Sequence, residues 1–124
     1  MTVIVHRLSE QSILIEFSGL VTHQQVFDAY SEVAGQSFAY LLYDGTDMIY
    51  DDKAFYGDDL NDLVAHWFLR PSFKFIFLVL PDEHDLREPV AKSYDELGYL
   101  PKVRFVASRE EGLICIQSLE NTGR

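Results

Sequence analysis

Seven aspartates stand between positions 44 and 62, namely Asp44, Asp47, Asp51, Asp52, Asp58, Asp59 and Asp62, against the single Lys53. Carboxylates at this density support two kinds of chemistry. With an imidazole from His84 beside Asp82, Glu83 and Asp85, they supply the hard oxygen and nitrogen donors of a divalent cation. Left unpaired, they form a charged recognition surface. The spacing fits no calcium-binding loop and places no His-Glu pair on one helix, so solvated loop and helix-capping carboxylates are the plainer reading, and no metal or other cofactor is expected. A metal-dependent hydrolase built on Asp44, Asp47 and His84 would lack any nameable general base or supporting partner.

Apolar pairs interrupt the acidic run: Ile49-Tyr50 and Phe55-Tyr56. A loop of about fifteen residues is longer than packing requires, and aromatic pairs inside such a loop point to a lid or a binding surface. The remaining reactive side chains have plainer roles. Ser72, Ser93 and Ser108 sit in no nucleophile elbow. Cys115 falls inside a helical pattern, where a thiol acts as a small apolar group. Gly45 and Gly57 are isolated and form no phosphate loop. His66 follows Asp62 at helical spacing and reads as a local charge pair. His23 serves the first turn of its helix, and His6 lies on an edge strand.

The elements that must position these residues follow from periodicity. Val3 to Leu8 and Ser12 to Phe17 alternate around Ser9-Glu10-Gln11, the pattern of an edge hairpin. Gly19 breaks the strand, and Thr22 with Gln25 has capping-box spacing ahead of an apolar stripe of Val26, Phe27, Tyr30 and Val33, which Gly35 ends. A strand from Phe38 to Tyr43 leads into the acidic loop and a helix near Asp59 to Leu69, with Leu60, Leu63, Val64, Trp67 and Phe68 on one face, stopped at Arg70-Pro71. Phe73 to Leu80 is apolar on both faces except at Lys74, as a central strand is. Pro89 suits the first turn of a third helix with Val90, Ala91, Tyr94 and Leu97 inward and Gly98 beyond its end. Val103 to Ala107 is a last strand, and Ser108 with Glu111 opens a last helix carrying Leu113, Ile116 and Leu119. The fold class is therefore α/β: an N-terminal β-hairpin and a first helix, then three strand-helix units, on a mostly parallel sheet. Residues 1–120 make one domain and 121–124 a frayed tail.

A chain of 124 residues buries roughly two thirds of its unfolded surface and needs no staples. Its net charge of -10 repels phosphate backbones and anionic lipid, which argues against nucleic acid and membrane partners. No signal peptide and no run of membrane-spanning length is read, and one cysteine forms no internal disulfide, so a reducing cytoplasm is the expected location.

The order of two strands, a helix and three strand-helix units, including the Gly19-Leu20-Val21-Thr22 step and the Tyr43-Asp44 strand end, resembles the STAS domain (sulfate transporter and anti-sigma-factor antagonist), most closely a divergent bacterial subgroup. The resemblance covers nearly the whole chain and is one of layout more than motif. It implies a right-handed superhelix of strand-helix turns, a non-enzymatic role, and binding of partner proteins, nucleotides or, in related folds, lipophilic molecules. Regulatory members carry a phosphorylatable serine before the second helix; this chain has Asp51-Asp52-Lys53-Ala54-Phe55-Tyr56-Gly57-Asp58-Asp59 there. Fixed carboxylates at Asp58 or Asp59 would stand at the positive end of that helix, as a phosphate would.

The expectation is a non-catalytic regulatory module that binds an unidentified protein partner through residues 44–62, with Asp44, Asp47, Asp51, Asp52, Asp58 and Asp59 giving charge and Tyr50, Phe55, Tyr56 and Trp67 giving anchoring area. The alternative is a carrier or sensor for a small apolar ligand, which a pocket lined by Trp67, Phe55 and Tyr56 would favour. A homodimer is expected as well. The central strand is apolar on both faces and helices of such a superhelix lie mainly on one, so either a helix crosses over to cover the other or a second copy packs there. The favoured contact is drawn from the aromatic loop and the second helix around Trp67.

Overall fold

The computed structural model describes residues 2–81 and 85–122. Alternation drives the first two strands, β1 (Thr2–Arg7) and β2 (Ser12–Leu20), into an antiparallel pair with Val3 opposite Phe17 and Val5 opposite Ile15. Helix α1 (His23–Ala34) opens on the expected capping box, in which the Thr22 hydroxyl accepts from the Gln25 N–H and the Gln25 side chain accepts from the Thr22 N–H. Then come β3 (Tyr40–Ile49), a one-turn helix α2 (Asp52–Phe55), α3 (Asp58–Phe68), β4 (Phe75–Val79), α4 (Arg87–Glu96), a 3-10 turn (Leu100–Lys102), β5 (Val103–Phe105) and α5 (Arg109–Thr122). The five strands lie in the order β1-β2-β3-β4-β5, parallel from β2 onward. This is the α/β, STAS-like architecture expected from the rhythm of the sequence.

The segment expected as a long acidic loop is mostly ordered structure. β3 runs on to Ile49 because β2 runs on with it: Ser18, Gly19 and Leu20 pair with Asp47, Met48 and Ile49 beyond an irregularity that sets in after the Glu16–Asp44 pair. That bulge interrupts the period of two, so buried Met48 between exposed Asp47 and Ile49 does not read as a continuing strand in the sequence. Asp51 then caps α2, its Oδ1 accepting from the Lys53 N–H at 3.0 Å. At the chain end α5 continues through Thr122, where a frayed tail from Asn121 was expected.

Two apolar layers sandwich the sheet. The larger holds Ile13, Ile15, Phe17, Leu41, Tyr43, Ile76 and Leu78 from the strands against Val26, Tyr30 and Val33 of α1 and Leu60, Trp67 and Phe68 of α3. Lys102 Nζ donates to the Phe68 carbonyl at 2.7 Å, satisfying one of the free acceptors at the end of α3. The smaller layer joins Leu14, Tyr40, Leu42, Phe77, Val79 and Val106 to Ile116 of α5, with Leu113, Cys115 and Leu119 packed at its edge. Gly112 permits this docking, since a Cβ there would stand 2.6 Å from Leu42 Cδ1. The premise for a covering subunit is thereby corrected: α5 itself covers the second face of β3 and β4. Trp67 itself offers no surface for the expected dimer contact, because it is only 2% exposed within the larger layer.

Candidate functional site

The carboxyl ends of β3 and β4 open into a cavity of about 80 Å³, the place where open parallel sheets bind ligands. Each wall follows from an element already described. β3 and the step beyond it bring Tyr43 and Tyr50; β4 brings Leu78 and, past its end, Leu80. The end of α2 brings Phe55 and the turn that follows it Tyr56, α3 brings Leu60, Asn61 and Val64, and α1 reaches in with Tyr30. α4 closes one side with Val90, Ser93, Tyr94 and Leu97. No residue of α4 is fully buried, and Leu97, expected inward, is 43% exposed, because α4 lies over this opening instead of a filled core.

The wall carries aromatic rings and hydroxyls and, among the described residues, no charged side chain. Tyr50 Oη donates to Tyr56 Oη at 3.1 Å, Tyr56 Oη lies 3.3 Å from Ser93 Oγ, and Ser93 Oγ donates to the Pro89 carbonyl at 3.1 Å. The Tyr43 hydroxyl donates to Met48 Sδ at 3.2 Å. The hydroxyls of Tyr30 and Tyr94 make no hydrogen bond among the described residues. Burial pushes the Tyr30, Tyr43 and Tyr94 phenols up, so these groups stay neutral across the physiological range. The arrangement is built for contact and hydrogen bonding. Among the described residues it brings no nucleophile and base within reach of one another.

A second polar constellation lies beside the α2–α3 turn. His23 Nε2 meets Asp59 Oδ2 at 2.9 Å, and its Nδ1 lies 3.3 Å from the Lys53 carbonyl. The Asp59 hydrogen bond raises the His23 pKa above its ordinary value, and the same contact lowers that of Asp59. On the opposite face of the sheet, Asp44 accepts from Arg109 Nε at 2.6 Å and from the Thr46 N–H and hydroxyl at 3.0 and 2.6 Å. Burial works to raise the Asp44 pKa, but the hydrogen bonds of Thr46 and Arg109 outweigh it and hold the carboxyl below the usual range.

Of the ten residues picked from the sequence, the structure brings Tyr50, Phe55 and Tyr56 together in one wall. Asp47, Asp58 and Asp59 are exposed, and Asp51 is half-buried as the α2 cap. Asp52 begins α2. Two residues do not belong to a surface. Asp44 is buried on the α5 face, and Trp67 is packed edge-on against Tyr30, outside the cavity, its indole N–H without a partner among the described residues. The hydrolase reading loses Asp44 to Arg109 and Thr46, and Asp82, Glu83 and His84 lie outside the described residues. Among the described residues no three His, Cys, Asp or Glu side chains gather as a metal site. His66 and Asp62 form no ion pair among the described residues, contrary to the helical-spacing reading.

Sequence reasoning missed Tyr30, Tyr43, Tyr94 and Ser93 as site residues. Tyr30 and Tyr94 sit on inward stripes of the sequence, and the available signal is their polar tip: a tyrosine on a core stripe needs a place for its hydroxyl.

No family profile and no curated protein sequence matches the chain. Among solved structures, it is similar to the anti-sigma factor antagonist SpoIIAA in its unphosphorylated form, with a TM-score of 0.65 at 12% identity, over 94% of this chain and 97% of that one. The likeness shows a STAS-like fold across nearly the whole chain. Among the described residues no helix is long and apolar enough to cross a membrane.

Proposed function

We propose that the chain is a non-catalytic, cytoplasmic regulatory module of the STAS type that binds a protein partner through the surface between Asp47 and Asp62. The observation that carries this reading is the mixture of charge and apolar area on that stretch: Ile49 is 60% and Tyr56 44% exposed among the exposed carboxylates Asp47, Asp58, Asp59 and Asp62. Aromatic and aliphatic anchors inside a charged rim are how a surface combines affinity with choice of partner. The fold supports the reading, since SpoIIAA is an anti-sigma factor antagonist. Where regulatory STAS domains carry a phosphorylatable serine, this surface is permanently anionic. A pull-down comparing wild type with Asp47→Asn, Asp51→Asn and Asp62→Asn combined is the test, and undiminished capture would overturn the proposal.

A second reading, a carrier or sensor of a small ligand, is favoured by the cavity. Phe55 and Tyr56 line it as that reading required, with Tyr30 and Tyr94 in place of Trp67. Self-association is relocated. α5 leaves exposed Ile4 of β1, Leu20 of β2 and Ile49 of β3, apolar area that a second copy would cover. Light scattering at rising micromolar concentration should show a mass above that of a 14.3 kDa monomer, and a constant monomer mass would end the homodimer proposal.

A further inference from the structure

Resting on the ligand-binding reading of the cavity, we propose that its occupant is a weakly hydrated organic cation, a quaternary or fully alkylated ammonium group held by tyrosine rings. Three properties of the site converge on that class.

The first is size. A cavity of about 80 Å³ is roughly half the volume that takes a benzene ring, and far short of an acyl chain. It accepts a compact head group of a few heavy atoms. The remainder of a ligand would leave past Tyr56 and Leu97, which are 44% and 43% exposed.

The second is the chemistry of the wall. Tyr30, Tyr43, Tyr50, Phe55, Tyr56 and Tyr94 all contribute to it. Aromatic faces are the negative part of the ring quadrupole and attract cations, most strongly those that lose little hydration on entering. A metal ion or a primary ammonium would need a full shell of oxygens. This wall offers six hydroxyls and no carboxylate among the described residues, and three of those hydroxyls, of Tyr50, Tyr56 and Ser93, are engaged with one another while that of Tyr43 donates to Met48 Sδ. An alkylated ammonium needs no hydrogen bonds, so a mainly apolar, ring-lined cavity suits it.

The third is sign. Among the described residues no basic side chain enters the wall, whereas the segments that supply it carry carboxylates: Asp51 follows Tyr50 in the chain, and Asp58 and Asp62 stand on either side of Leu60 and Asn61. Together with the net charge of -10, this repels an anionic head group and draws a cation toward the opening. A neutral apolar ligand would gain nothing from that charge.

The experiment titrates the full chain with choline and with its neutral carbon isostere, in which a tert-butyl group replaces trimethylammonium, following amide and tyrosine resonances by NMR. Choline should bind saturably and at least about tenfold more tightly than the isostere, perturbing Tyr56 and Tyr94. Tyr56→Leu should weaken choline roughly fivefold to tenfold while Tyr56→Phe stays within about twofold, because the ring face and not the hydroxyl holds the cation. Tyr56 is half-exposed, so neither change threatens the fold. Equal or tighter binding of the isostere would overturn the cation and leave the ligand reading standing. Absence of binding by either compound would remove both. Choline binding indifferent to Tyr56→Leu would place it elsewhere and also overturn the proposal.

Discussion

Arg109, the first residue of α5, donates from Nε to Asp44 Oδ2 at 2.6 Å, tying the last helix to the middle of β3. Its Nη2 also meets Glu16 of β2 at 3.0 Å, and Glu16 in turn meets His6 of β1 at 3.3 Å. One guanidinium thus spans two parallel strands just before the bulge where their register shifts. Its charge holds the N-terminus of α5 where Gly112 and Ile116 can dock, despite the unfavourable sign of a cation at that end of a helix.

Asp44→Ala should therefore destabilise the fold and leave partner binding at the 47–62 surface unchanged in the folded fraction. The side chain is buried and accepts three hydrogen bonds, one of them charge-assisted, so a loss of about 2 kcal/mol is expected. The pH dependence has a definite sign. A carboxyl with a folded-state pKa below its unfolded value of about 3.9 contributes stability that is present above that value and lost as pH falls through the folded one. Chemical denaturation of wild type and variant should converge in midpoint as pH drops below about 4, and a gap independent of pH would assign the loss to packing.

The His23–Asp59 contact predicts the opposite sign on its histidine side. The His23 pKa is raised, chiefly by the Asp59 hydrogen bond, so its contribution is full below the unfolded value of about 6.5 and disappears as pH rises through the folded one. NMR titration of the His23 ring should give a midpoint above 6.5 that Asp59→Asn returns toward the ordinary value. Both side chains are substantially exposed, so high salt should shrink the shift. A midpoint unmoved by Asp59→Asn would show that the contact does not persist in solution.

Legibility followed the length of each periodic signal. The hairpin, α1 with its capping box and the doubly apolar β4 could be read because each is set by local alternation or caps. The extension of β3 could not, since the bulge shifts its period and its partner is Leu20, far away in sequence. α5 was legible as a helix but its side of the sheet was not. That choice is made by Gly112 and Arg109 through contacts with Leu42 and Asp44, which no local pattern announces. The site was half legible for a related reason. Tyr50, Phe55 and Tyr56 stood out against charge, whereas Tyr30 and Tyr94 were camouflaged by the stripes they share with core residues.

Gly112→Ala tests the docking of α5. Alanine would gain up to about 1 kcal/mol in helix propensity, but its Cβ would stand 2.6 Å from Cδ1 of the fully buried Leu42, with Val106 Cγ2 at 3.5 Å beside it. Overpacking of this kind costs about 1–3 kcal/mol, so net destabilisation of about 1 kcal/mol is expected. Adding Leu42→Val should recover part of it, since the shorter side chain withdraws the clashing methyl. A stabilised Gly112→Ala variant would mean that α5 can slide on the sheet without cost.

Replacing Asp47, Asp51 and Asp62 with Asn separates the two roles a carboxylate can play on the proposed surface. Asp47 and Asp62 are exposed and take part in no ion pair among the described residues. Asp51 caps α2 through Oδ1, a bond that the Asn side chain oxygen also makes. None of the three therefore supplies fold stability that Asn would forfeit. Each adds to the self-repulsion of a chain carrying 20 acidic against 10 basic residues. The melting temperature should hold or rise slightly, while capture of a partner falls and becomes less sensitive to salt, because charge on such a surface governs encounter and choice of partner. A variant that unfolds would show the carboxylates to be structural, and one that keeps both its stability and its salt-sensitive capture would remove the 47–62 surface from the binding mechanism.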